Sequence, residues 1–309
     1  MPPSLVVLGS SNTDMIIQLE RLPRPGETLL GGNFTTAAGG KGANQAVAAA
    51  RAGGAVTFVA RIGRDIFGDQ ALAGFRRDRL NTDYVFRDPT APSGVALIFV
   101  ARDGSNSIAV ASGANARLSP ADVRKARPAL TGAAVLVLQL ETPLPTVQAA
   151  ARLAARAGVP VILNPAPAQA LPDTLLQTVH LLTPNESEAE TLTGVKVTDD
   201  ASAARAARRL LTRGVRGVIL TLGARGAWVA TPELSRHVPT FRVKPVDTTA
   251  AGDVFNGALA VAFSEGRPLL ECVRFANAAA ALSVTRLGAQ PSAPTRPQIE
   301  RTMGSNIDI

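Results

Sequence analysis

Cysteine occurs once in this chain of 309 residues, as Cys272. A single thiol excludes an internal disulfide and any metal site built from several cysteines, and it fits a reducing compartment. Cys272 itself reads as a small buried hydrophobe, which is how free cysteines usually behave. Histidine is nearly as scarce: the chain has two, His180 and His237, neither with a partner at metal-ligand or triad spacing. Aromatic residues make up 4% of the chain, with one Trp and one Tyr, which argues against a stacking platform for single-stranded nucleic acid. No apolar run approaches the roughly 18 residues that suggest a membrane span. The segment Leu5-Val6-Val7-Leu8-Gly9 lacks the basic flank and length of a signal peptide. The expectation is a soluble, cytoplasmic protein that engages neither membrane nor nucleic acid.

A hydrophobic content of 46% indicates a globular chain with a sizeable core. The formal charge of +8 raises the question of phosphate-rich partners, but the basic residues are scattered. The densest groups, Arg124-Lys125-Ala126-Arg127 and Arg205-Ala206-Ala207-Arg208-Arg209, lie in Ala-rich stretches and read as solvated helix faces. A small anionic ligand is compatible with this charge.

Short runs rich in Val, Ile and Leu alternate with Ala-rich amphipathic stretches: 5–8, 55–60, 134–140, 160–163, 180–182 and 217–222. That rhythm predicts a mostly parallel sheet covered by helices on both faces. Two segments depart from it. Asp14 to Thr36 carries Met-Ile-Ile-Gln-Leu-Glu, then Pro23-Arg24-Pro25-Gly26, then Glu27-Thr28-Leu29-Leu30; Ser93 to Ser112 carries two apolar runs around Asp103-Gly104. Each is predicted to be two strands around a turn. Together they make an accessory sheet able to close over a site.

Ligands of α/β sheets bind beyond the carboxyl ends of the strands. Polar residues follow several predicted strands there: Asn12 and Asp14, Glu141, Asn164, Asn185 and Glu188, and Thr221 with Gly223, Arg225 and Gly226. Any one of them fits an ordinary capped turn; together on one edge they mark a candidate site. Gly39-Gly40-Lys41-Gly42-Ala43-Asn44-Gln45 leads into a helix but matches neither the dinucleotide nor the phosphate-loop pattern. Its glycines permit close backbone approach, and an early Asn can direct its amide at a hydroxyl. In Asp247-Thr248-Thr249-Ala250-Ala251-Gly252-Asp253, small residues leave the backbone amides of a helix start open to an anion. Asp253 then either caps that helix or takes a proton from an attacking hydroxyl while the amides stabilise a transferring phosphoryl group.

These motifs, with Asn164-Pro165-Ala166-Pro167, Thr183-Pro184-Asn185-Glu186, Thr221-Leu222-Gly223 and Gly288-Ala289-Gln290-Pro291-Ser292, resemble the ribokinase-like carbohydrate kinase family from Leu5 to about Ser292. The resemblance implies one α/β sugar kinase domain over 1–309, a three-layer fold with a mostly parallel sheet. It also implies a small β-sheet lid at about 12–36 and 94–112, and a homodimer formed through the lids. It implies transfer of the ATP γ-phosphate to the 5-hydroxyl of D-ribose, with a related sugar, a nucleoside or a non-catalytic sugar-binding role as alternatives. By motif, Asn12, Asp14, Gly40, Lys41, Gly42, Asn44 and Glu141 correspond to sugar contacts and Asp253 to the base. The amides of Ala250, Ala251 and Gly252 correspond to the anion hole. Asn185, Glu188, Thr221, Gly223, Arg225, Gly226, Gly252 and Asn277 fall at nucleotide positions, Glu188 also with Mg2+. Asp247, Thr249, Ser283, Arg286, Gly288 and Ser292 fall around a monovalent cation, K+. Asn277 stands where histidine is common in the family.

Overall fold

Strand β1 (Ser4–Leu8) shows how the layers form. Its residues alternate between two cores: Leu5 and Val7 pack with Phe58 and Phe75 on one face, Val6 and Leu8 with Leu118 and Leu136 on the other. Both faces are therefore apolar, and a strand buried on both sides must lie inside a helix-covered sheet. Each such side chain, fully buried, contributes about 1.5–3 kcal/mol of transfer free energy.

In the computed structural model, which describes residues 3–304, the remaining strands are β2 (Asn12–Leu19), β3 (Asn33–Gly39), β4 (Ala55–Gly63), β5 (Asn81–Asp88), β6 (Gly94–Ala101) and β7 (Asn106–Ala111). They continue with β8 (Val135–Leu138), β9 (Val161–Leu163), β10 (Leu181–Leu182), β11 (Gly217–Thr221), β12 (Ala227–Ala230) and β13 (Ser235–Val238). Nine form the body sheet in the order β13-β12-β11-β10-β9-β8-β1-β4-β5. From β5 to β11 the pairing is parallel, and β12 and β13 add an antiparallel edge. The others form a separate four-stranded sheet, β3-β2-β6-β7. Cys272 is fully buried, as its composition-based reading expects, and burial pushes its thiol up to about 11.

Three local expectations need correction. The second strand of the first accessory segment is Asn33–Gly39, not the Glu27–Leu30 stretch. Gly31 and Gly32 both have φ of +101°, which turns the chain before pairing begins, while Glu27 is bound up with Arg21 and with the amide of Arg24. The strands β5 and β13, which carry polar residues, and the short apolar β12, Ala227-Trp228-Val229-Ala230, are not among the expected strands. The helix that Asp253 was expected to open begins two residues earlier, at Ala251.

Two helices position the site. Helix Lys41–Arg51 packs against helix Ala251–Ser264 at Gly257, where a Cβ would lie 2.6 Å from the carbonyl oxygen of Gln45. Glycine is required for that backbone approach, and it brings Asn44 and Gln45 beside Asp253.

Candidate active site

Asp253 occupies the first turn of its helix and is 6% exposed. It does not cap the helix. Its Oδ2 accepts from Asn44 Nδ2 and its Oδ1 from Gln45 Nε2, each at 3.0 Å. Burial raises its pKa, opposed by the Lys41 ammonium and by these two amides. The donor given by Asn44 leaves Asn44 Oδ1 buried without a protein partner. An unpaired buried acceptor is costly, and here it sits beside a carboxylate, where a ligand hydroxyl can satisfy it.

Around this pair lies a tight group of charges. Asp14 is pushed up to about 6 by burial first, then by the negative charges of Glu141 and Asp253. Gly39 stands against the Asp14 carboxylate, where any side chain would collide with it. Burial works against the Lys41 ammonium, but Asp253, Glu141 and Glu188 outweigh it and raise its pKa. Lys41 is thus the common counter-ion of the cluster.

Glu141 has a structural duty as well. Helix Lys41–Arg51 has no side-chain cap of its own at Gly40, which adopts φ of +87°. Instead Glu141 Oε2 accepts from the Lys41 amide at 2.9 Å and from Ser10 Oγ at 2.5 Å, while Ser10 Oγ accepts from the Gly42 amide at 3.2 Å. Gly42 lies so close that a Cβ would be 2.5 Å from the Ser10 nitrogen. A carboxylate at a helix N-terminus is favoured by orphan donors and dipole together.

Asn12 begins β2, and its Oδ1 accepts from Asn115 Nδ2 at 2.8 Å. Asn115 also accepts from the Ser11 amide at 2.9 Å and so holds the root of the lid sheet. The orientation leaves the Asn12 amide nitrogen as the group available to a ligand. By register, Asp14 shares a lid face with Ile16, Ala96, Ile98, Ile108 and Val110.

The segment expected to form an anion hole lies at the start of the Asp253 helix. Ala250 is held in the left-handed region at φ of 59°, and no side chain caps the helix. Gly252 is exposed and Ala251 half-buried. The Ala251 amide also makes a long 3.3 Å bond to the Thr248 carbonyl.

The residues expected at the nucleotide sit along the neighbouring strand ends. Asn185 and Glu188 form a capping box on helix Glu186–Thr193, with Glu188 Oε2 accepting from the Asn185 amide at 2.9 Å. Burial raises the Glu188 pKa against the pull of that bond and of Lys41. Thr221 bridges to Asn185, and Gly223–Arg225 forms a single 3-10 turn. Gly226, at φ of +101°, packs under Val238 and Pro239. Arg225 is exposed and faces Glu186 at 3.5 Å and Asp200 at 3.7 Å. Asn277 is buried, and its Nδ2 donates to the carbonyls of Val238 and Pro239 at 3.2 Å each. Its amide therefore braces the wall of this region. His237, outside every motif, contacts the Arg225 carbonyl at 2.7 Å through Nε2.

The last group joins two loops. Asp247 accepts from the amides of Thr249 at 2.9 Å and Gly288 at 2.8 Å, and these bonds outweigh burial to lower its pKa. The Val246 and Asp247 amides donate to the Val284 carbonyl. Ser283 and Ser292 donate their protons to backbone carbonyls, and Arg286 is exposed. Among the described residues, no group of three or more His, Cys, Asp or Glu side chains could hold a metal ion.

Sequence reasoning passed over Ser10, Asn115, Gln139 and Gln45 as functional residues. The available signal was the run Gly42-Ala43-Asn44-Gln45-Ala46-Val47, in which two amides interrupt small apolar residues on a helix that buries them.

Residues 2–296 match the pfkB family carbohydrate kinase. The chain is 47% identical to a ribokinase of Haemophilus influenzae over 296 residues, covering 96% of this chain and 97% of the relative. It is 39% identical to a deoxyribokinase of Salmonella typhi over 303 residues, covering 98% and 99% respectively. The structure of Arabidopsis thaliana ribokinase complexed with ribose and ATP superposes with a TM-score of 0.92 at 35% identity, covering 99% of this chain and 100% of that one.

Proposed function

The chain belongs to the pfkB family of carbohydrate kinases and is an ATP-dependent sugar kinase, and from this premise we propose how its site works on D-ribose. The observation that carries the reading is Asp253: a buried carboxylate held by two amides, next to an unpaired acceptor and an uncapped helix start.

Asp253 accepts the proton of the 5-hydroxyl as its oxygen attacks the γ-phosphorus, a role worth roughly 10²–10⁴ in rate. The amides of Ala250, Ala251 and Gly252 meet the charge accumulating on the phosphoryl oxygens. Asp14 accepts from two adjacent ring hydroxyls, Asn12 donates to one, and Asn44 Oδ1 accepts from another. Lys41 offsets part of the repulsion among the surrounding carboxylates. The lid face shared by Asp14, Ile98 and Val110 covers the apolar side of the sugar and excludes water.

The residues at the nucleotide end fit a phosphate-bound Mg2+: Glu188 is a carboxylate facing the same charged centre, with Asn185 fixed to it. When bound, Mg2+ neutralises the transferring phosphates. The Asp247 group fits K+, because it offers one ionised carboxylate and main-chain carbonyls of two tied loops, the hard oxygen donors such an ion takes. K+ would there stiffen the segment leading to Ala250. The opposite lid face carries Met15, Ile17, Phe34, Leu97 and Phe99 in one register, with Phe34 63% and Leu97 46% exposed. That apolar face fits a second copy of the lid, giving a homodimer in the cytoplasm.

The test is ADP release over a panel of ribose, deoxyribose, fructose and nucleosides. Ribose is expected to give the highest kcat/KM, and a higher value for deoxyribose would transfer the assignment to that sugar. Asp253→Asn is expected to lower kcat by about 10²–10⁴ with sugar binding retained. Undiminished turnover would remove Asp253 as the base.

A further inference from the structure

Beneath the site runs a line of buried side-chain groups that ends on Asp253. Gln139 Nε2 donates to Gln45 Oε1 at 2.6 Å, and Gln45 Nε2 donates to Asp253 Oδ1 at 3.0 Å and to Asn164 Oδ1 at 3.1 Å. Asn164 Nδ2 donates to the Thr183 carbonyl at 3.1 Å. Thr183 Oγ1 donates to Asn256 Oδ1 at 2.6 Å, and Asn256 Nδ2 donates to the Gly252 carbonyl at 2.8 Å. Gln45 is 0% exposed, and Gln139, Thr183 and Asn256 are each 1% exposed. The line starts at the ends of β8, β9 and β10 and finishes on both functional parts of one helix, the base and the anion loop.

An amide has one donating and one accepting end, so the direction of each fixes the next. An ionised Asp253 only accepts. Gln45 must then turn its nitrogen toward Asp253 and its oxygen toward Gln139. Gln139 in turn must give its nitrogen, and its own Oε1 is left buried with no partner, pressed against Gly9. An orphaned acceptor at the far end is a destabilising feature in itself. The polarity of the line makes sense only if what it serves is the carboxylate at the near end.

We propose that Gln45 is a positioning residue for phosphoryl transfer, aiming Asp253 as an ionised carboxylate and, through Asn164, Thr183 and Asn256, locking it to the anion loop at Gly252. The inference rests on the reading of Asp253 as the base. The charged groups that bear on Asp253 are Lys41, Glu141, Asp14 and Glu188. Of the forces opposing its burial, Gln45 supplies one donor, Asn44 another and Lys41 the charge.

Gln45→Met keeps the side-chain length and removes the donor. Its expected effect is a kcat about 10- to 100-fold lower with sugar KM within about threefold, and an acidic limb of the kcat/KM profile moved up by about one pH unit. An unmoved acidic limb overturns the proposal. Gln139→Met guards against a Gln45 variant that does not fold: it keeps both amide donors on Asp253 and removes the orphaned oxygen, but it also takes the donor from Gln45 Oε1, so one unpaired buried acceptor replaces another. The melting temperature is therefore expected to stay close to that of the native protein while kcat falls about three- to tenfold and the limb shifts the same way, to a smaller extent. Unchanged kcat in folded Gln139→Met also overturns it. Finally, adding Gln45→Met to Asp253→Asn should lower the residual rate by less than about twofold, because a residue acting through the base has nothing left to act on. Multiplying losses would sink the proposal, whereas full turnover in Asp253→Asn alone would sink the base assignment instead.

Discussion

Asp14 shows how one residue can report on the state of the whole site. Its carboxyl is raised to about 6 by burial and by its acidic neighbours, so without sugar the folded protein takes up a proton there that the unfolded chain, near 3.8, releases. The linked stability is present in full below the unfolded value and is lost as pH rises through about 6. In the proposed role Asp14 accepts from two hydroxyls as a carboxylate, so sugar affinity is expected to fall as pH drops below about 6, approaching tenfold per unit. Calorimetric titration across that range checks this, and a flat affinity would remove Asp14 as a hydroxyl acceptor. At this scale Asp14 stood out as a carboxylate just after an apolar run, Asn44 as an amide in a glycine-rich helix start, and Asp253 as a lone carboxylate behind three small residues. The duty of Gln45 did not. Its partners Gln139, Asn164 and Asp253 come from three other segments, 94 to 208 residues away, and no local pattern encodes that convergence.

Elements were readable where both faces of a strand are buried. The runs at 5–8, 55–60, 134–140, 160–163, 180–182 and 217–222 all became strands of the body sheet, because a doubly covered strand must be apolar throughout. The edge strands β5 and β13 carry polar residues such as Asn81, Asp83, Ser235 and Arg236, and their pairing is set by tertiary context. The loops at Asp247 and Gly288 are a feature of the same order. Asp247 ties 247–249 to Gly288, and a few residues on Ala250 is held at positive φ. A non-glycine residue in that region costs about 1 kcal/mol or more, so the conformation depends on what surrounds it. Replacing K+ by Na+ is therefore expected to lower kcat severalfold while leaving sugar affinity near its original value. Equal rates in the two salts would count against a cation at these loops.

For the molecule as a whole, the lid is the part whose two faces both lack cover. Ile108 is 56% and Val110 54% exposed on the Asp14 side, and Phe34 and Leu97 are exposed on the other. Contiguous apolar surface of this kind marks an interaction site. Sedimentation is expected to give a dimer for the native chain and a monomer for the double variant Phe34→Glu/Leu97→Glu, with a raised sugar KM; a native monomer would end the lid-pairing proposal. The charged centre has a further consequence at the same scale. The protein carries a formal +8, yet Glu141, Glu188 and Asp253 gather around the ammonium of Lys41, with Asp14 beside Glu141 and Asp253. The far field therefore draws polyanions in, while the near field turns away any that arrive without compensating cations. Nucleotide capture should slow as ionic strength rises past the point where the screening length falls to about 8 Å, whereas capture of the uncharged sugar should not. On the proposed reading the fold thus separates attraction from admission: the surface charge would recruit a phosphate chain, and the interior would accept it once its charge has been partly neutralised.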